Sequence, residues 1–282
     1  MPSRRDLPYL LTLLEDDSWI VRKHVSEALR SFGPKLAKVV SSYKYGMEPQ
    51  SLEVLEDILD EIKEETFSSG WMNWLEISNT KLGLERAMIN LSFLQFGEEA
   101  FQIELELDTL AEEFLLTSKD MSVDGLMKFI FEDKKFKSPG DRDQNHLHDS
   151  LLFTLRQRVG SQISLSCLII LLGWRIGLEL HGIHIQGNFL PISFEGAKMQ
   201  MYNTYNAGLP IKRSAALYIE EAFKRNCILP SEMRAEVYEI VSQILRNTIE
   251  FYHRRGKSDD ANLYAERYNQ LMDTLKARGM VE

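Results

Sequence analysis

An almost unbroken apolar run from Leu165 to Trp174 constrains the fold more than any other part of the sequence. It falls well short of the roughly 20 residues that a helix needs to cross a bilayer. A helix that is apolar on all sides must be covered by protein, because any face left in water would expose hydrocarbon. The run therefore predicts a buried helix around which other elements pack.

Composition places the chain among ordinary globular proteins. Of its 282 residues, 44% are hydrophobic and 27% are charged, which excludes the disordered and fibrous classes. The formal net charge of -9 repels phosphate backbones, and no long run of lysine or arginine offsets it. We therefore expect no nucleic-acid partner, and the shortness of the longest apolar run argues against a membrane-spanning segment.

Cysteine usage and the first residues both favour a reducing compartment. The two cysteines, Cys167 and Cys227, are too few for a disulfide framework or for a four-ligand zinc site. The amino-terminal residues lead into an amphipathic stretch and lack the apolar segment of a secretory signal. The sequence thus predicts a cytoplasmic protein, and we expect no metal and no cofactor.

Short helical patterns begin the chain. Apolar residues recur at helical spacing from Leu7 to Leu14 and again from Val21 to Leu29. The acidic turn between them is followed by Val21-Arg22 and later by Ala28, and this pattern resembles a HEAT repeat. A further periodic stretch, Ser51 to Thr66, predicts another helix.

The region after the buried helix predicts a small sheet. Two β-rich segments, Leu180 to Phe194 and Lys198 to Tyr205, are separated by the turn residues Glu195-Gly196. We interpret them as an antiparallel hairpin packed on the buried helix. Before that helix, the stretch from Lys81 to Phe136 predicts further helices.

The carboxy-terminal part of the chain predicts a pair of helices. They extend from Met233 to His253 and from Asp259 to Lys276, and Gly256 joins them. With Ala261 and Tyr264 among its residues at helical spacing, the pair resembles TPR-like helices.

An ordered series of short segments occupies the middle of the chain. The most specific one is the stretch from Arg158 to Ser166, Arg-Val-Gly-Ser-Gln-Ile-Ser-Leu-Ser. Further segments precede and follow it: Phe131–Phe136, Asn145–Leu155, Gly177–Ile183, Gly187–Leu190 and Asn203–Gly208. Together they resemble the SirB-type transglutaminase-like family, which typically has Arg-x-Gly-x-Pro-Ile-Ser-Leu at the central position. In Asn145–Leu155, His146 to Asp149 departs from the family's pattern.

The resemblance implies the identity of three site positions. Active transglutaminase-like enzymes use a thiolate, an imidazole that takes its proton and a carboxylate that orients the imidazole. The corresponding residues here are Gln162, Asn188 and Asn203, all of them carboxamides. Carboxamides neither act as such nucleophiles nor titrate near neutral pH. The resemblance therefore implies a core that has lost acyl-transfer chemistry. The SirB-type family itself commonly has proline at the nucleophile position.

These observations predict the fold class and three regions. The class is α+β and mostly helical, with a transglutaminase or cysteine-protease-like core, a small antiparallel sheet and flanking helical repeats. The predicted regions are a HEAT-like segment at 1–80, the transglutaminase-like core at 81–213 and a TPR-like segment at 214–282.

The cysteine and the serines near Gln162 are candidate nucleophiles, but structural roles explain them. Cys167 lies five residues beyond Gln162, about 140° round the helix axis, and we expect it to be a buried structural thiol. For Ser161 we expect helix capping. Ser164 and Ser166 lie near it, but no histidine or lysine is predicted within reach to take a proton from the three hydroxyls.

The histidines give a weak metal signal. His181 and His184 are three residues apart in a predicted strand, so their side chains should point to opposite faces. His146 and His148 have no cysteine near them in sequence, and two imidazoles alone seldom hold zinc.

The sequence is compatible with three functions. We favour a non-catalytic interaction or regulatory protein that binds another protein through helical surfaces. The alternatives are an amide- or peptide-directed enzyme with an unrecognised nucleophile, and a small-ligand sensor that uses the vestigial cleft. In a non-catalytic interaction protein, the carboxamides Gln162, Asn188 and Asn203 form a hydrogen-bonded core. In a small-ligand sensor, they form the wall of an amide-binding pocket.

Overall fold

Two units make up the chain, Met1–Trp71 and Met72–Glu282. The structure is a computed structural model. It describes residues 6–16, 18–33, 35–41, 43–140, 145–185, 187–195, 198–212, 217, 221 and 234–281.

The first unit is built from helices whose apolar stripes meet in one core. They are α1 (Leu7–Thr12), α2 (Trp19–Arg30), α3 (Lys35–Val40) and α4 (Pro49–Gly70). The periodic residues identified in the sequence form that core, with Leu7, Leu29 and Leu55 fully buried. The predicted helices are therefore confirmed, whereas the HEAT-like identity of the unit stays a prediction.

Helices also dominate the second unit. They are α5 (Thr80–Phe96), α6 (Gln102–Thr117), α7 (Val123–Lys128), α8 (Leu151–Gln157), α9 (Gln162–Arg175), α10 (Val237–Arg254) and α11 (Ser258–Ala277). A π-helical segment, Phe129–Asp133, extends α7, and a short 3-10 turn, His146–Asp149, precedes α8. The predicted carboxy-terminal pair is present as α10 and α11, with Gly256 between them at a φ of 68°. Helix α10 begins at Val237, whereas its predicted start, Met233, lies outside the described residues.

The apolar run forms the centre of the second unit, as predicted. Helix α9 is buried continuously from Ile163 to Gly173. Helices α5, α6, α7 and α8 pack on it, and so do the first two strands of the sheet. The positions of these elements therefore follow from how they cover this one helix.

The sheet is antiparallel, in the order β1-β2-β3-β4. Its strands are β1 (Leu180–Ile185), β2 (Asn188–Glu195), β3 (Lys198–Asn203) and β4 (Leu209–Pro210). The prediction of one extended segment from Leu180 to Phe194 was wrong, because that segment is itself a hairpin. The chain reverses at Gly187, whose φ of 81° suits a residue without a Cβ.

A close approach at Gly160 joins α8 to the start of α9. Thr154 Oγ1 lies 3.0 Å from Ser164 Oγ, and Ser164 Oγ donates to the His148 carbonyl oxygen at 2.6 Å. A Cβ on Gly160 would lie 2.4 Å from Thr154 Oγ1 and 2.6 Å from Ser164 Oγ. The buried hydroxyl pair therefore leaves room only for glycine.

None of the helices in the described part of the chain is both long enough and apolar enough to span a membrane.

We predict that Gly160→Ala lowers the free energy of unfolding by about 1–3 kcal/mol, because overpacking here forces the two buried hydroxyls apart. The measurement is urea unfolding of the full-length protein. Gly83→Ala in α5 is the matched control, since the nearest atom to its new Cβ would be at 3.6 Å. This control should be neutral or stabilising by up to about 1 kcal/mol. Equal stability of both variants would contradict the close approach at Gly160.

Candidate functional site

The amino end of α9 opens on a polar cavity of about 600 Å³. Ser161 caps the helix, its hydroxyl accepting a hydrogen bond from Ser164 N at 3.4 Å, so the predicted capping role is confirmed. Gln162, the first residue of α9, lines the cavity together with Asn188, the first residue of β2. Two of the three carboxamides predicted from the family resemblance thus share one wall.

The third carboxamide, Asn203, has a different position. It precedes a 3-10 turn, and its Oδ1 accepts hydrogen bonds from Tyr205 N at 3.1 Å and Asn206 N at 3.3 Å. Asn203 is not among the residues that line the cavity, although Tyr205 is. The described contacts therefore assign this carboxamide a capping role beside the cavity.

A buried hydroxyl junction nevertheless holds the three positions close together. Ser166 Oγ lies 2.6 Å from the Gln162 carbonyl oxygen and 3.0 Å from the Phe189 carbonyl oxygen. It also lies 3.1 Å from Thr204 Oγ1. Because Phe189 follows Asn188 and Thr204 follows Asn203, this junction ties all three chain segments to the first turns of α9.

The cysteine in α9 has the structural role that the sequence predicted. Cys167 is fully buried and forms no disulfide. Burial raises the pKa of its thiol well above the ordinary value, and the nearby Asp149 carboxylate raises it further. Such a thiol is neither accessible nor ionised at neutral pH. Cys227 lies outside the described residues.

A buried carboxylate near the helix cap escaped the sequence reasoning. Asp149 is 8% exposed, and burial raises its pKa to about 6, while hydrogen bonds with Ser161 and Asn247 act in the opposite direction. Asn247 Nδ2, on α10, donates to Asp149 Oδ2 at 3.4 Å. In the sequence, the local signal of this site is a carboxylate that directly follows His148, with His146 two residues before that histidine. Its partner is 98 residues away, so no local pattern joins them.

The neighbouring histidines are also held by named contacts. His148 Nδ1 accepts a hydrogen bond from Asn145 N at 3.1 Å, while His146 Nε2 lies 2.9 Å from the Tyr252 hydroxyl oxygen. Burial lowers the pKa of His146, which favours the neutral imidazole. Both rings line the cavity.

Metal ligation has no support in the residues that the structure describes. Among them, no group of three or more His, Cys, Asp or Glu side chains is arranged to hold a metal ion. His181 and His184 line two separate cavities, in keeping with their expected positions on opposite faces of β1.

Helix α10 supplies the opposite wall and the charged groups of the cavity. Its last turns contribute Asn247, Glu250, Phe251 and Arg254, and Arg255 follows the helix. Arg254 pairs with Glu250 on the same helix face, whereas Arg255 lies over the Phe251 ring, 3.7 Å from its centroid. The arrangement offers amide, hydroxyl and guanidinium groups, which bind and orient polar ligands.

We predict that Asp149→Asn removes a pH-dependent loss of stability. The carboxyl group has a higher pKa in the folded protein, about 6, than the ordinary value of 3.8, so folding favours its protonated form. The wild type should lose up to about 3 kcal/mol relative to the variant as pH rises from 4 to above 6.

The free energy of unfolding of both proteins is measured between pH 4 and 8. The pH-dependent part of the difference between them should vanish near pH 4. Asp273→Asn on α11 is the matched control, because it removes a carboxylate from an exposed position. A difference between the wild type and Asp149→Asn that is the same at every pH would contradict burial of an ionising carboxyl group.

Comparison with known proteins connects this site to a family. Searches among curated proteins and among solved structures gave no match. The family described as the transglutaminase-like superfamily matches residues 101–250, more than half of the 282 residues. The match includes α9, the sheet and the cavity walls from Pro139 to Glu250. The chain therefore belongs to the transglutaminase-like superfamily.

Proposed function

We propose that the chain is a non-catalytic binding or regulatory protein, built on a SirB-type transglutaminase-like core that has lost its catalytic residues. The observation that supports this most is the position of Gln162. It is the first residue of the buried helix and lines the cavity, where the family resemblance expects the nucleophilic thiol. An uncharged carboxamide at that position can form hydrogen bonds but cannot attack a carbonyl carbon.

The remaining nucleophiles near the cavity support the same proposal. Cys167 is buried and its thiol pKa is raised, so it supplies no thiolate at neutral pH. The Ser161 hydroxyl accepts from Ser164 N and forms a hydrogen bond with Asp149. Nucleophilic serines normally give their proton to an imidazole or amine, and a carboxylate alone is a weak substitute.

A protein partner is the first role that we propose. HEAT-like helices before the core and TPR-like helices after it would provide surfaces of the kind that bind other proteins. Large apolar side chains are exposed on both units, including Tyr9 and Trp19 in the first unit and Leu105 and Leu116 on α6. A contiguous patch of such groups would mark a protein interaction site.

A ligand sensor is the second role, and the open cavity favours it. A core in which the carboxamides had simply filled the old site would leave little space beside Gln162 and Asn188. The cavity there measures about 600 Å³, within the range of small-ligand sites. Ligand binding and partner binding are compatible, since a bound ligand can alter a surface formed by α10.

Alkylation of the native thiols is the experiment that tests the lack of catalysis. We predict that iodoacetamide leaves Cys167 unmodified from pH 6 to 8 and modifies it only after unfolding, because the thiol is buried and protonated. Mass spectrometry of the digested protein distinguishes Cys167 from Cys227. Rapid, saturable labelling of either thiol below pH 7 would favour the enzyme alternative.

A thiol introduced at the family's nucleophile position should, unlike Cys167, react in the folded protein. We predict that Gln162→Cys is alkylated in the folded protein at pH 7, and faster than a free thiol of ordinary pKa. The reasons are that position 162 lines the cavity and that the amino end of a helix stabilises a thiolate. Cys167 in the same molecule is the internal control. Resistance of the introduced thiol to alkylation in the folded protein would show that position 162 is not an accessible nucleophile position.

A further inference from the structure

We infer that the cavity at the amino end of α9 binds a short peptide with a free carboxylate, which pairs with Arg255 while carboxamides on the walls hold its amide groups. This inference rests on the proposed function, because it requires a cavity that binds a peptide without turning it over. It assigns to that cavity a ligand class and the charge that the ligand must present.

Arg255 is an anchored cation at the mouth of the cavity. Its guanidinium lies 3.7 Å from the centroid of the Phe251 ring, and that ring in turn lies 4.9 Å from the ring of His146. Stacking on an aromatic face fixes the plane of a guanidinium and leaves its N–H groups directed outward. The side chain is therefore held in place before any ligand arrives.

Among the described residues, Arg255 forms no ion pair with a carboxylate at 4.0 Å or less. Its neighbour Arg254 pairs with Glu250, but none of the ion pairs between described residues includes Arg255. A planar guanidinium with free N–H groups matches a carboxylate in geometry and charge. Arg255 thus provides a position for one carboxylate of a ligand.

Carboxamides surround the interior of the same cavity. Gln162 and Asn188 lie on the wall formed by the core, while Asn247 extends from α10 and donates to Asp149 at 3.4 Å. A carboxamide presents both a donor pair and an acceptor, the same groups that a peptide bond offers in return. A set of such side chains suits a ligand that contains several amide groups.

The cavity extends along α10, which favours a peptide over a smaller amide. Asn247 and Glu250 also line an adjoining cavity of about 680 Å³ that includes Gln243 and Arg246. These residues recur at helical spacing, so they lie along one face of α10. In the adjoining cavity, Gln243 Nε2 donates to the Gly187 carbonyl oxygen at 3.1 Å. An extended ligand can lie along this face.

The experiment uses two pools of acetylated tripeptides, one with free carboxyl termini and one with carboxamide termini. Each pool is mixed with the full-length protein, and bound peptides are counted by native mass spectrometry. We expect the free carboxylates to bind about tenfold or more tightly than the amides, since hydrogen bonds to an ionised group are the stronger ones. Arg255→Gln should remove this preference, because the free carboxylates lose their charged partner.

The matched control is Arg86→Gln, which removes a partly exposed arginine on α5 that pairs with Glu104. This variant should keep the preference for the carboxylate pool. Inorganic phosphate is included as a competitor, so that recognition of any small anion is distinguished from recognition of a peptide. Equal binding of the two pools, an unaltered preference in Arg255→Gln, or displacement of the peptides by equimolar phosphate would each overturn the inference.

The same spectra distinguish failure of the inference from failure of the proposed function. Peptides that bind intact without preference for the carboxylate, or that do not bind, overturn only the ligand assignment. A covalent adduct or a cleaved peptide would overturn the proposed lack of catalysis as well.

Discussion

Burial of α9 on every side is the constraint on which the second unit depends. Its residues from Ile163 to Gly173 have no face left for water, so helices and strands must cover them completely. The close approach at Gly160 and the hydroxyl junction at Ser166 hold the first turns of α9 against α8, β2 and the Thr204 turn. This packing positions Gln162 at the start of α9 and Asn188 at the start of β2, the two carboxamides of the core that line the cavity.

The burial of α9 also separates its cysteine from the cavity. Cys167 lies more than a turn into the helix, where desolvation keeps a thiol neutral. Gln162 lies at the first turn, where the cavity begins. Cys167 is therefore kept from the cavity, and the proposed lack of catalysis rests on this burial and on the carboxamide at position 162. What the site retains is the ability to form hydrogen bonds.

Sequence reasoning succeeded where the signal was local. The apolar run specified α9, the serine before it specified the cap, and helical periodicity specified α10 and α11. The reversal at Gly187 is not predicted, because one β-rich stretch continues across it. The predicted region boundaries at 80 and 213 stay predictions, and residue contacts divide the chain at Trp71.

The cavity itself could not be predicted, because its walls come from distant parts of the chain. Asp149 and Asn247 are 98 residues apart, and His146 and Tyr252 are 106 residues apart. Such pairs form only once α10 packs against the core, and neither partner alone has a distinctive pattern. Only the family resemblance placed Gln162 and Asn188 near each other in advance.

Turnover is the most direct measurement of the central claim that this core binds without catalysis. The native full-length protein would be incubated with glutamine-containing peptides, peptide esters and an amine acceptor, and products and protein mass would be followed by mass spectrometry. The account predicts no acyl adduct on the protein and no product above the rate without protein. Product formation that is lost on Ser161→Ala, or an acyl adduct on any described side chain, would contradict it.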